Sequence, residues 1–185
     1  TVYTSVMMVL LVAASLLIFA SKYLAVVLYK NDFYSAWMVG CILIFSFVFN
    51  SLSSLIGTIY TATKKTSVLL YSTLAAACVN IVLNIILIPG YGLYGAAFAT
   101  LVSYVCVWLI RALLAKKQME KGFIDRYSLI IMALIAFQIV IELSSFEYRM
   151  ILSFVIVLLV IAVAYKKLRN SILYDKITTI IERRK

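Results

Sequence analysis

The 185-residue chain contains no histidine, a single proline (Pro89), three cysteines and only seven acidic residues. Without histidine, imidazole acid/base catalysis and imidazole metal ligation are excluded. Cys41, Cys78 and Cys106 each lie inside an apolar run, with no metal-ligating neighbour at usable spacing. They read as small packing residues, and no metal or cofactor is expected. Charge is scarce overall: 13% of residues are charged against 65% hydrophobic, and mean hydropathy is +1.10. That balance excludes a soluble globular domain and points to an integral membrane protein.

Crossing the hydrocarbon takes about 20 apolar residues per helix. Runs of about that length are Val2 to Ala20, Ala36 to Tyr60, Ser67 to Ile88, Leu93 to Leu114, Ser128 to Ser145 and Met150 to Tyr165. The alternation that a membrane barrel needs is absent, so the expected fold is all-α with about six transmembrane helices.

A net charge of +10 raises the possibility of nucleic-acid binding, but the placement of the cations argues against it. Lys64 and Lys65 share one loop, while Arg111, Lys116, Lys117, Lys121 and Arg126 bracket another. Lys166, Lys167, Arg169, Lys176, Arg183, Arg184 and Lys185 follow the last run, leaving only Lys22, Lys30 and Arg149 elsewhere. Cations gather on cytoplasmic loops, so both ends and both Lys-rich loops are expected in the cytoplasm.

The most distinctive stretch is Asn80 to Tyr104, NIVLNIILIPGYGLYGAAFATLVSY. Two apolar runs meet there at Pro89-Gly90-Tyr91-Gly92, a corner expected to end one helix and start the next. Gly95, Ala99 and Ser103 recur at every fourth position, a spacing that lets another helix come close.

Asn80, Asn84, Ile88, Pro89, Tyr91, Gly92, Gly95, Ala96, Ala97, Ala99 and Thr100 together resemble the C-terminal half of bacterial polysaccharide flippases. These belong to the multidrug/oligosaccharidyl-lipid/polysaccharide superfamily of exporters. The likeness extends loosely over Val6 to Leu114; the glycine that such flippases tend to place near Lys30 or Asn31 is missing here. The resemblance implies a part of a MATE-like helical bundle. Residues 1–115 would supply four helices of the C-terminal bundle, 116–127 a cytoplasmic link and 128–166 an appended hairpin. Residues 167–185 would form a basic tail, with Leu173, Ile177, Ile180 and Ile181 able to line an interfacial helix. The first run lacks the leader and cleavage site of a signal peptide. Because the chain starts at Thr1, a portion of a longer transporter is expected, partnered by its N-terminal bundle.

Polar groups in lipid must find partners and are default functional candidates. Asn80 and Asn84 share a face with Ser72 and Ala76, suited either to helix packing or to lining a cavity. Asn50, Ser53, Ser54 and Gly57 form a second small and polar stripe, with the same two readings. Tyr60, Tyr71, Tyr104 and Trp108 are candidates for stacking on sugars or for interfacial anchoring. Arg111 lies about a turn inside its run and is a candidate for phosphate contact as well as a topology signal. Substrate-path candidates are therefore Asn50, Ser54, Asn80, Asn84 and Arg111. Glu142, which shares a face with Gln138, is the ion-coupling candidate; pairing with Arg149 is the alternative.

What the resemblance implies is a noncatalytic flippase of the bacterial inner membrane. It would move undecaprenyl-pyrophosphate-linked oligosaccharide by alternating access for surface polysaccharides such as O-antigen, with lipid and lipid-linked oligosaccharide as partners and no nucleic acid. A multidrug or ion-coupled exporter of the same superfamily, a membrane scaffold and a membrane glycosyltransferase are the alternatives. Against the last, Asp32, Glu142 and Glu147 are scattered over separate segments. Against the exporter, the first four runs hold no acid.

Overall fold

The computed structural model describes residues 2–28, 36–119, 125–144 and 147–182, with side chains described in 2–27, 36–116, 125–144 and 147–170. These residues form five helices: α1 (Val2–Leu28), α2 (Ala36–Ala62), α3 (Thr66–Met119), α4 (Arg126–Leu143) and α5 (Arg149–Glu182). All five are long and apolar enough to cross a membrane. Their outward faces carry exposed apolar side chains such as Val27, Ile85, Ile86 and Leu93, as expected of surfaces solvated by lipid rather than water.

The expected break at Ala20 does not occur, because α1 continues to Leu28. Residues 21–28 contain no glycine or proline, and the Ser21 hydroxyl donates to the Ile18 carbonyl at 2.7 Å, so the polar pair Ser21-Lys22 gives the helix no reason to stop. The residues 29–35, including Lys30, Asn31 and Asp32, lie outside the described residues.

α2 ends on a glycine-free Schellman motif. Lys64 takes φ 58°, its N–H donates to the Thr61 carbonyl at 3.1 Å, and the Lys65 N–H reaches back to the Tyr60 carbonyl at 2.8 Å. A turn this short makes α2 and the start of α3 antiparallel neighbours.

In α3 the two predicted spans join as a single 54-residue element. Drawn straight it would measure about 81 Å, nearly three times the ~30 Å hydrocarbon layer. Instead it folds back on itself. The helical assignment passes through Pro89, and the backbone breaks at Gly92, where φ is 52° and ψ is −128°. That region is essentially closed to residues with a Cβ. The contacts across the break pair Ser72 with Arg111 and Asn80 with Ser103, so each step down one limb matches a step up the other. Residues 66–91 and 93–119 are thus two antiparallel limbs.

The small-residue stripe lies in their seam. Gly95, Ala99 and Ser103 are buried, and a Cβ added at Gly95 would stand 2.6 Å from the Leu87 carbonyl oxygen. On the facing limb the buried or half-buried residues include Ser72, Ala76, Asn80 and Asn84, at a spacing of one turn.

By contacts the chain divides into two units, residues 17–124 and residues 1–16 with 125–185. In the first, Ser21 and Cys41 join α1 to α2 through a 3.2 Å hydroxyl–thiol contact. Phe49 meets Trp108 edge-on at 5.3 Å, joining α2 to the second limb.

In the second unit a buried amide holds three helices. The Ser15 hydroxyl donates to Gln138 Oε1 at 2.7 Å; Gln138 Nε2 donates to the Ser15 carbonyl at 3.0 Å and to Ser153 Oγ at 3.1 Å. All three residues are fully buried. Asp125 caps α4 by accepting from the Ser128 N–H at 2.9 Å and forms an ion pair with Lys167, whose Nζ lies 5.4 Å from the Tyr127 ring centroid. Beyond Asn170, α5 stays helical to Glu182, but the tail's apolar and basic side chains lie outside the described residues.

Candidate functional site

Within the first unit, α2 and the two limbs of α3 line an open hollow of about 330 Å³. Its wall brings together three of the five substrate-path candidates: Asn50 from α2, Asn80 from the first limb and Arg111 from the second. Thr73, Thr100, Ser103 and Tyr104 supply further hydroxyls. Apart from Arg111 the polar lining is uncharged, and neither α2 nor α3 contains an Asp or Glu.

Arg111 is half-buried, and its guanidinium spans the site. Nε donates to Ser72 Oγ at 3.0 Å, Nη2 to Thr73 Oγ1 at 2.9 Å and Nη1 to the Ser53 carbonyl at 3.1 Å. The Tyr60 hydroxyl, on a fully buried ring, donates to the Arg111 carbonyl at 3.0 Å and holds the main chain of the second limb against α2. Gly57 leaves room for the side chain, since a Cβ there would already touch Nη1 at 3.4 Å. Among the described residues every partner of this cation is neutral, so its charge is hydrogen-bonded but not balanced there.

Ser54 falls elsewhere. It is exposed, bonds its hydroxyl to the Asn50 carbonyl at 3.0 Å and lines a second, more open hollow with Gly57, Thr58, Thr61 and Leu69. Arg111 walls that hollow too. Asn84 stands behind Asn80, donating to its Oδ1 at 3.0 Å, while Asn84 Oδ1 is buried with no hydrogen-bond partner among the described residues. Asn80 in turn donates to Ser103 Oγ at 3.4 Å, so one amide ladder both packs the limbs and faces the hollow.

Glu142 is buried in the second unit, on the same face of α4 as Gln138. Among the described residues no ion pair joins it to Arg149. Of the aromatic candidates, Tyr104 lines the hollow, Tyr60 and Trp108 are buried in helix packing, and Tyr71 is exposed. Among the described residues no group of three His, Cys, Asp or Glu side chains gathers in a way that could hold a metal ion.

Thr73, Thr100 and Ser103 were not singled out from the sequence as lining residues. Thr73 lies seven positions from the candidate Asn80 and Thr100 four from Tyr104, while Ser103 was named only with the packing stripe of Gly95 and Ala99. Helical spacing therefore carried the signal, once it was known that both limbs face one another.

Fold and site together define a helical, membrane-embedded class of protein with a polar, singly cationic hollow among its helices. No protein-family model, curated protein or solved structure matches the chain.

Proposed function

We propose that the chain is the C-terminal portion of a bacterial inner-membrane flippase that moves undecaprenyl-pyrophosphate-linked oligosaccharide by alternating access. The observation that carries this reading is Arg111: an unbalanced cation in an apolar helix, at the wall of a hollow otherwise lined by neutral amides and hydroxyls. A lipid-linked oligosaccharide headgroup has matching parts. Its phosphates call for a cation, and its sugars call for neutral donors and acceptors. The hollow would replace water around a headgroup whose bare passage through hydrocarbon is prohibitive. The lipid tail would remain in the bilayer.

Six crossings, by α1, α2, the two limbs of α3, α4 and α5, would put both ends on one side. The clustered lysines and arginines would make that side the cytoplasm and place Gly92 at the outer face. The remainder of the transporter would close the hollow on its open side.

Buried Glu142 favours a second reading, an ion-coupled multidrug exporter of the same superfamily, in which that carboxyl would carry the coupling ion. Deleting the gene separates the two. Accumulation of completed lipid-linked oligosaccharide with loss of surface polymer supports the flippase; normal pools with altered drug sensitivity support the exporter.

A further inference from the structure

Arg111 uses its guanidinium as a three-way tie. A guanidinium carries five N–H donors, and three of Arg111's are committed: one to the Ser53 carbonyl on α2, two to Ser72 and Thr73 on the first limb of α3. Among the described residues the remaining two have no acceptor, and the group borders both hollows. Beside it, the Ser53 side chain is 1% exposed, lines the same hollow, and its Oγ has no hydrogen-bond partner among the described residues. Meanwhile Tyr60 anchors the Arg111 main chain through its carbonyl, so the side chain can let go without moving its own helix.

We infer that Arg111 is a releasable latch: its guanidinium ties α2 to the first limb of α3 while the hollow is empty, and a phosphate-type anion entering the hollow takes the guanidinium and frees the two segments to part. This rests on the reading that the cargo is anionic. A phosphate adds an attraction between opposite charges that a neutral acceptor lacks, and it accepts from arginine in bidentate fashion. A serine hydroxyl, a threonine hydroxyl and a carbonyl each offer a neutral acceptor only. With no carboxylate on α2 or α3 to hold the cation, an anion meets no competitor of its own strength. The unpartnered Ser53 hydroxyl gives the arriving oxygen a further donor. Loading of the site and loosening of the helix pair thereby become one event, which is what an alternating-access carrier requires.

Electron–electron double resonance on the full-length protein tests this, with spin labels on Ser51→Cys and Leu74→Cys and the native cysteines replaced by alanine. In phosphatidylcholine nanodiscs the latch predicts a short α2-to-first-limb distance that lengthens when inorganic pyrophosphate is added. If phosphatidylglycerol nanodiscs lengthen it without pyrophosphate, a lipid headgroup is the anion; if only pyrophosphate does, the anion comes from a soluble or cargo phosphate. Arg111→Gln is expected to give the long distance from the start, with no response to anion. Gly57→Leu, which fills the space beneath the guanidinium, is expected to do the same with the charge retained. An unchanged wild-type distance on adding either anion overturns the latch, as does a short distance in Arg111→Gln. Thermal stabilisation of the wild type by pyrophosphate without a distance change removes the latch and leaves the anionic-cargo reading standing. Neither stabilisation nor distance change removes both.

Discussion

Arg111 Nε and Ser72 Oγ, 39 positions apart in the chain, meet at 3.0 Å, and this one bond sets the register of the two limbs of α3. Together with the Asn80–Ser103 contact it makes the longest helix of the protein a hairpin centred on Gly92.

Asn80→Cys with Ser103→Cys, in a background without the native cysteines, is expected to cross-link with a short bifunctional thiol reagent. The Asn80 amide and the Ser103 hydroxyl are 3.4 Å apart. A shift in gel mobility reads the product. A straight α3 would hold these positions far beyond the reach of such a reagent, and absence of product would contradict the hairpin.

Gly92→Ala and Gly95→Ala should both destabilise the hairpin, for different reasons. At Gly92 nothing lies within 4 Å of an added Cβ, so the cost is backbone strain at φ 52°, about 1–3 kcal/mol. At Gly95 the added Cβ collides with the Leu87 carbonyl oxygen, and the limbs must separate, at roughly 1–3 kcal/mol for overpacking. Thermal unfolding of the detergent-solubilised protein checks both, with Gly90→Ala, which meets nothing within 4 Å, as a near-neutral control.

Gln138→Leu is expected to cost about 1 kcal/mol, since membrane interhelical hydrogen bonds average roughly 0.6 kcal/mol and two side-chain partners, Ser15 and Ser153, lose theirs. Adding Ser15→Ala and Ser153→Ala should recover part of that loss, because no buried hydroxyl is then left unpaired. Equal stability of single and triple variants would show that the amide does not hold these helices.

Burial alone would raise the Asp125 carboxyl, but hydrogen bonds from Lys167 and Ser128 outweigh it and hold the group below the usual carboxylate range. A depressed folded pKa contributes stability that is present above the unfolded value, near 3.9, and lost as pH falls through the folded one. The α4–α5 clasp should therefore weaken only below about pH 4. In Asp125→Asn the acid limb of the stability profile should flatten, with a modest loss at neutral pH, about 1 kcal/mol or less for an ion pair this accessible. A profile identical to wild type would contradict the assignment.

Much of this arrangement is legible in the residues themselves. Twenty-residue apolar runs give the helices, and the Pro-Gly-Tyr-Gly corner gives the reversal between limbs. The break lies at Gly92 rather than Pro89 because a proline φ fits a helix and only a glycine fits φ 52° with ψ −128°. The first run was expected to end at Ala20, ahead of the polar residues Lys22, Lys30, Asn31 and Asp32. Within 21–28, however, only Ser21 and Lys22 are polar side chains without an aromatic ring, and they do not unwind a segment that lacks any breaker. Which polar residues meet is harder to read from a linear stripe, since the answer depends on register. Reflecting the chain about Gly92 places Arg111 opposite Thr73 and Ser103 opposite Ile81, each within a residue of its observed partner. The Ser15–Gln138–Ser153 bridge has no such shortcut, because its partners are 123 and 15 positions apart on three separate helices.

The most direct test of the flippase reading is a translocation assay. The full-length protein is reconstituted in vesicles carrying lipid-linked oligosaccharide, and the fraction of headgroups accessible to an external glycan-modifying enzyme is followed with time. Inward-facing headgroups should become accessible in the presence of the wild type, and Arg111→Gln should slow this by roughly tenfold or more, the loss of one charge-assisted contact worth about 1.5–3 kcal/mol. Headgroups that stay inside with the wild type, in vesicles where the same protein moves a cationic drug, would contradict the account.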